Sequence, residues 1–267
     1  VIDGVEILDS GDANPGDDNI TVVALSPLTV NSNVVNNAGG NITLTSTNDT
    51  GDDDHLTVSA NVTALGGNGA IDLDAGTDLI VNNNATVSTV GTGAITGDAE
   101  RAVNISGTNT MMQSASGGIS LANMAGHAGN FSGVTIDDAT ISTDSGAISL
   151  TGTGGDTGND NHGVALTNTA TINSTAAASA GTVTITGTAG AGADSDGVNA
   201  NNAAAHTIVS TSDAAVMIIG SSATNEGVRL VQSSVATTGA GGSGTLQGTT
   251  TGTGTDAEGV RDSSSSI

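Results

Sequence analysis

The chain has 267 residues, with 27 acidic side chains against three arginines and no lysine, for a formal charge of −24. That balance excludes nucleic acid and anionic membrane surfaces as partners, since both need a basic footprint, and no run is long and apolar enough for membrane insertion. One phenylalanine and no tryptophan, tyrosine or cysteine exclude an aromatic-rich core and a disulfide scaffold, while 36% hydrophobic residues in alternation argue against disorder.

In chain order, the first predicted strand is the alternating pair Val5/Ile7, and Ile20 opens the next. Leu28/Val30 and Val34 follow. Gly40-Asn41-Ile42-Thr43-Leu44 then begins a pattern of glycine, any residue, aliphatic, any residue, aliphatic. It returns at Gly69-Ala70-Ile71-Asp72-Leu73, Gly117-Gly118-Ile119-Ser120-Leu121, Gly146-Ala147-Ile148-Ser149-Leu150 and Gly181-Thr182-Val183-Thr184-Ile185, with looser copies at Ile20, Ile95, Val216 and Leu246. A second aliphatic pair follows each anchor: Leu56/Val58, Leu79/Val81, Val103/Ile105, Val134/Ile136, Val164/Leu166 and Val228/Leu230, with weaker copies at Val198 and Val260. A third site comes a few residues later, at Val34, Val62, Val87, Ile141, Ile172 and Val235.

The anchors Ile20, Ile42, Ile71, Ile95, Ile119, Ile148, Val183, Val216 and Leu246 are separated by 22, 29, 24, 24, 29, 35, 33 and 30 residues. Self-similarity at such a period means a solenoid. Alternation puts the aliphatics on one face of each strand and Thr, Ser and Asn on the other. Three strands per period around one interior predict an all-β fold, a parallel β-helix of about nine to ten coils, as one domain over 1–267 with about 22–35 residues per coil. Length varies mainly between first and second strands, at Ser46–His55, Thr151–His162, Thr186–Asp196 and Ser221–Glu226, which predicts loops along one edge. Val5/Ile7 is assigned to a second strand and Ile267 to a third, with no capping helix at either end. Uncapped coils present open backbone, so Val1, Ile2, Val5, Ile7, Val260 and Ile267 are expected to form an end-to-end interface with copies of the chain or with further coils of a longer polypeptide.

Segments such as Gly146–Thr153 with Gly163–Thr175 resemble the glycine-, threonine- and asparagine-rich β-strand repeats of large bacterial surface proteins, the filamentous-haemagglutinin-like exoproteins and autotransporter adhesins. The resemblance covers about residues 20–267 and lies in repeat style. It implies a right-handed β-helix, export to the cell surface or the medium, and a structural or adhesive role in a fibre or biofilm, with cell-surface glycans among the partners.

No catalytic constellation stands out, and the chain is read as not an enzyme. A polysaccharide-degrading β-helix needs clustered Arg, Lys, Asp or Tyr. Here Arg229 and Arg261 recur at equivalent positions beside Glu226 and Glu258, which reads as a surface charge ladder. No cofactor is required. Hard oxygen ligands suit calcium, and the candidates are Asp52, Asp53 and Asp54, the Asp12/Asp17/Asp18 segment, Asp156 with Asp160, and Asp194 with Asp196, weighed against ordinary solvated loop acids. The four histidines have no metal spacing and read as surface residues. The alternative to a fibre segment is a binding module, for calcium or carbohydrate along the loop edge or for ice along outward Thr86, Thr140, Thr171 and Thr207, a row interrupted at Met111 and Ser234.

Overall fold

The computed structural model describes residues 5–7, 18–25, 27–47, 53–82, 84–124, 127–253 and 257–267, with backbone alone for 5–7 and 202–210. Val1, Ile2, Asp12, Asp17 and Asp52 lie outside the described residues. The fold is a parallel β-helix with three strands per coil, and every strand pairing is parallel. No helix occurs among the described residues.

The first ladder stacks nine strands, from Ile20–Ala24 to Ser243–Thr250. Ile20, Ile42, Ile71, Ile95, Ile119, Ile148, Val183 and Val216 stand in register, each no more than 4% exposed. Period-two alternation sends them inward, and each rests on the equivalent side chain of the next coil. Burying an aliphatic side chain of this size stabilises by about 1.5–3 kcal/mol. Leu246 does not extend this column. It pairs with Ile218, and Gly244 stands opposite Val216, so the last coil is 28 residues long at this corner. A two-residue slip keeps Leu246 on the inner face, which is why the pattern alone misplaced it.

The second ladder carries Leu28, Leu56, Leu79, Val103, Val134, Val164, Val198, Val228 and Val260 in register. The third carries Val34, Val62, Val87, Met112, Ile141, Ile172, Ile208 and Val235. Val5 pairs with Val34 and Ile7 with Asn36, so the first strand belongs to the third ladder rather than the second. The long strand Val198–Ser210 joins the two ladders, with a register shift between Asn201 and His206. Outside, Thr86, Met111, Thr140 and Thr171 form one row, which the backbone register continues through Thr207 to Ser234, so the threonines are interrupted in space as they are in sequence.

Two corners are closed by glycine. Between third and first ladders, Gly69, Gly93, Gly117, Gly146 and Gly181 stack so tightly that a Cβ on each would lie 2.2, 2.1, 1.9, 1.8 and 2.0 Å from the carbonyl oxygen of the glycine one coil earlier. Only hydrogen fits there. Buried hydroxyls complete this corner. Thr89 and Thr143 Oγ1 each donate to a glycine carbonyl, Gly93 and Gly146, at 2.6 Å, and Ser114 Oγ donates to Gly93 at 2.9 Å. These inward polar groups satisfy the backbone of the turn. At the opposite corner Gly152, Gly187, Gly220 and Gly248 would place a Cβ 1.5–2.0 Å from the carbonyls of Gly163, Gly197, Gly227 and Gly259. This glycine contact pinches the bases of the loops shut. The first strands run further than the composition suggests, since Thr151–Thr153 and Thr186–Thr188 are strand and not loop.

Candidate functional site

Most of the longer connections leave the coil between first and second ladders, at 47–55, 154–163, 189–197, 223–227, 251–259 and, not anticipated from the sequence, 124–133, while 175–182 lies between third and first ladders. The edge shared by the former is the candidate functional region. Two amides, one half-buried and one fully buried, hold the loops together across coils. Asn123 Nδ2 donates to the carbonyls of Arg101 (2.6 Å) and Thr153 (2.9 Å), and its Oδ1 accepts from Thr153 N (2.8 Å). Asn161, 0% exposed, donates from Nδ2 to Thr157 and Ala191 carbonyls at 2.8 and 2.7 Å and accepts from Phe131 N at 2.8 Å.

In the loop 124–133, Gly129, Asn130, Phe131 and Ser132 lie against the outer face of the second ladder. Phe131, the only aromatic, packs against the backbone at Gly155, where a Cβ would come within 3.0 Å of its ring. It walls a groove of about 380 Å³ whose other sides include Ile80, Asn104, Asn130 and Thr135. One end is closed by Arg101, which grips Asp78 through Nε to Oδ1 (2.8 Å) and Nη2 to Oδ2 (2.5 Å). His55 Nδ1 lies 3.4 Å from the same Oδ2.

The proposed calcium ligands do not converge. Among the described residues no three His, Asp or Glu side chains are placed to hold a metal ion. Asp53, Asp156, Asp160 and Asp194 are exposed, whereas Asp54 and Asp196 are buried in the wall of the coil. Asp196 is no calcium ligand here, because its oxygens are already taken by protein donors. On the first ladder Asp74 and Asp98 stand in register, with Asp72 two residues before Asp74. Partial burial and then the neighbouring acids push the Asp74 and Asp98 carboxyls above the usual carboxylate range.

The least ordinary chemistry lies at the base of the loops 189–197 and 223–227. The residue before the corner glycine reads Ser132, His162, Asp196, Glu226 and Glu258 in successive coils. Asp196 and Glu226 are both 0% exposed. Asp196 Oδ1 accepts from Asn225 Nδ2 (2.6 Å) and from the Glu226 backbone N–H (3.2 Å), and Oδ2 accepts from Asn199 Nδ2. Its own N–H donates to His162 Nδ1 at 3.1 Å, which fixes that nitrogen as the unprotonated one. Glu226 Oε1 accepts from Arg261 Nη1 at 2.9 Å, and the two carboxyl side chains are hydrogen-bonded to each other. Glu226 Oε2 is buried and has no hydrogen-bond partner of its own. Burial and then the contact with Glu226 push Asp196 up to about 7. Burial also pushes Glu226 up, but the hydrogen bonds from Asp196, Arg261 and its own backbone outweigh it and hold it below its usual value. His162, only 13% exposed in its side chain and therefore not a surface histidine, is pushed down by burial.

Of the two arginines read as a surface ladder, Arg261 spans coils to Glu226, whereas Arg229 Nε is buried without a hydrogen-bond partner. Val260 and Ile267 are 39% and 66% exposed, and the Val228 and Val235 that they stand over are 0% and 3%. No family model, curated protein or solved structure matches the chain.

Proposed function

We propose that this chain is a length of stiff rod in an extracellular surface fibre or adhesin, its coils stacked on further coils of the same polypeptide or on copies of itself. The observation that carries this reading is the aliphatic stack from Ile20 to Val216, held in register coil after coil by three parallel ladders. To bend such a stack, ladder hydrogen bonds and a dry core must open on one side. The charge of −24 disfavours sideways association. The exposed Val260 and Ile267 present the kind of surface that one coil covers on the next. Electron microscopy of the native, undissociated material tests the proposal. Nine coils at a spacing of about 4.8 Å make a rod of about 43 Å. Long thin filaments support axial stacking, and discrete particles about 43 Å long count against it.

A second reading, a carbohydrate-binding edge, is favoured by the Phe131 groove. An aromatic wall, an isoleucine floor and amide and hydroxyl groups suit one neutral sugar unit. Titration with neutral oligosaccharides tests it. Binding abolished by Phe131→Ala supports the reading, and no binding by the unaltered chain removes it.

A further inference from the structure

Asp196 and Glu226 belong to consecutive coils, both are sealed from water, and their carboxyl groups touch. Two carboxylates in contact inside a protein do not both stay ionised at little cost; a proton between them turns repulsion into a hydrogen bond. The donors around the pair are shared unequally. Of the two acids, Glu226 is the one that Arg261 pairs with, and Arg229 forms no ion pair among the described residues, its Nε having no hydrogen-bond partner. Asn225, Asn199 and the Glu226 N–H all point at Asp196, but they are neutral. Glu226 therefore keeps the charge and Asp196 the proton, and Oε2 of Glu226 finds its donor in the Asp196 hydroxyl.

We propose that the coils meeting at this corner are joined by a proton shared between Asp196 and Glu226, whose loss to solvent base loosens the stack around residues 189–231. The proposal concerns the joint between coils and stands whether or not the chain serves as a rod. Among the described residues several charged groups surround the pair, and Glu258, exposed, stands one coil beyond Glu226 in the same column. Asp160 and His162 come from the preceding coil, Asp194 from the same loop, Arg229 from the following strand and Arg261 from the coil beyond.

The sign follows from linkage. Asp196 is raised from 3.8 to about 7 in the folded chain, so the stability that its proton contributes is full below about 3.8 and is lost as pH rises through about 7. Glu226 is lowered from 4.5, so its contribution holds above 4.5 and is lost in acid below its folded value. The joint is thus tightest with one proton, between those limits. His162 works in the opposite sense, because its imidazole is held below 6.5 and acidification costs stability there.

The test is hydrogen exchange across pH 6 to 8.5 on the whole chain, comparing peptides from 189–231 with those from 95–150, in the unaltered chain and in Glu226→Gln. In that variant Oε1 still accepts from Arg261, and the amide nitrogen supplies the donor that the proton had supplied. The local opening constant of the unaltered chain is expected to rise roughly tenfold over this range from Asp196, and that of Glu226→Gln to rise by less, with the His162 contribution cancelling in their ratio. Peptides from 95–150 show no such rise. Asp196→Asn, with the Asn199 amide turned to accept, is the second variant and should lose the response in the same way. If exchange in 189–231 tracks that in 95–150 at every pH in the unaltered chain, or if Glu226→Gln keeps the full response, the proposal is overturned. The comparison within the unaltered chain decides the matter even where a variant fails to fold.

Discussion

Gly146→Ala adds one methyl group where the corner has no room. The new Cβ would lie 1.8 Å from the Gly117 carbonyl oxygen and 2.4 Å from its carbon, both backbone atoms that cannot swing away. To reach an ordinary 3.4 Å contact the two coils must part locally by about 1.6 Å. The bonds from Ile119 N to the Ala147 carbonyl (2.9 Å) and from Ser145 N to the Ala115 carbonyl (3.0 Å) do not survive that displacement. At about 1 kcal/mol each they lose about 2 kcal/mol, and loosening of the Ile119–Ile148 stack adds about 1 kcal/mol more. A total near 3 kcal/mol is expected, read from denaturant midpoints followed by circular dichroism. Gly244→Ala is the matched control, because its Cβ meets nothing within 4 Å. With less freedom in the unfolded chain it should be neutral or stabilising by up to about 1 kcal/mol. Should Gly146→Ala and Gly244→Ala differ by less than about 0.5 kcal/mol, the close approach of coils at this corner is not what demands glycine.

Ile148→Asp places an unpaired charge in the fully aliphatic column and should open the coils on either side, with strand content and melting temperature both falling; unchanged dichroism and melting would contradict the register. Asn161→Leu removes two donors and an acceptor that tie three loops together and should cost about 2–4 kcal/mol, with increased protease cutting near Phe131 and Ala191 as the local readout. Asp98→Asn should raise the melting temperature at pH 7 and lose that advantage near pH 3, because the carboxyl is raised in the folded chain and its protonated form is favoured. Melting curves at the two pH values that differ equally from the unaltered chain would refute it.

The architecture was legible because the aliphatic columns repeat their own residue types. Ile42, Ile71, Ile95, Ile119 and Ile148 identify one another without any knowledge of the coil. Errors arose where that identity lapses. Gly244 takes a place held elsewhere by isoleucine or valine, so the pattern slid to Leu246. Val5 and Ile7 carry the aliphatic pair typical of second strands, whereas the third ladder elsewhere has Asn36, Ala64, Thr89 or Ser114 at the second position, so they were assigned to the wrong ladder. The amides Asn123 and Asn161 drew no notice in the sequence because their partners lie in other coils, up to 30 residues away. The acid pair left a signal that went unused. His162, Asp196, Glu226 and Glu258 fall in one column before the corner glycine, but a charged residue beside a turn was equated with an exposed one. The opposite holds where a following coil roofs the position.

Each strand finds its ladder partner one coil away, from Ile20 with Ile42 at the start to Val228 with Val260 near the end. No strand waits for a partner at the far end of the sequence. A chain delivered end first through a narrow exit can therefore add coils one at a time, each laid on the finished coil before it. Growth by templating of this kind keeps only a single edge unsatisfied at any moment.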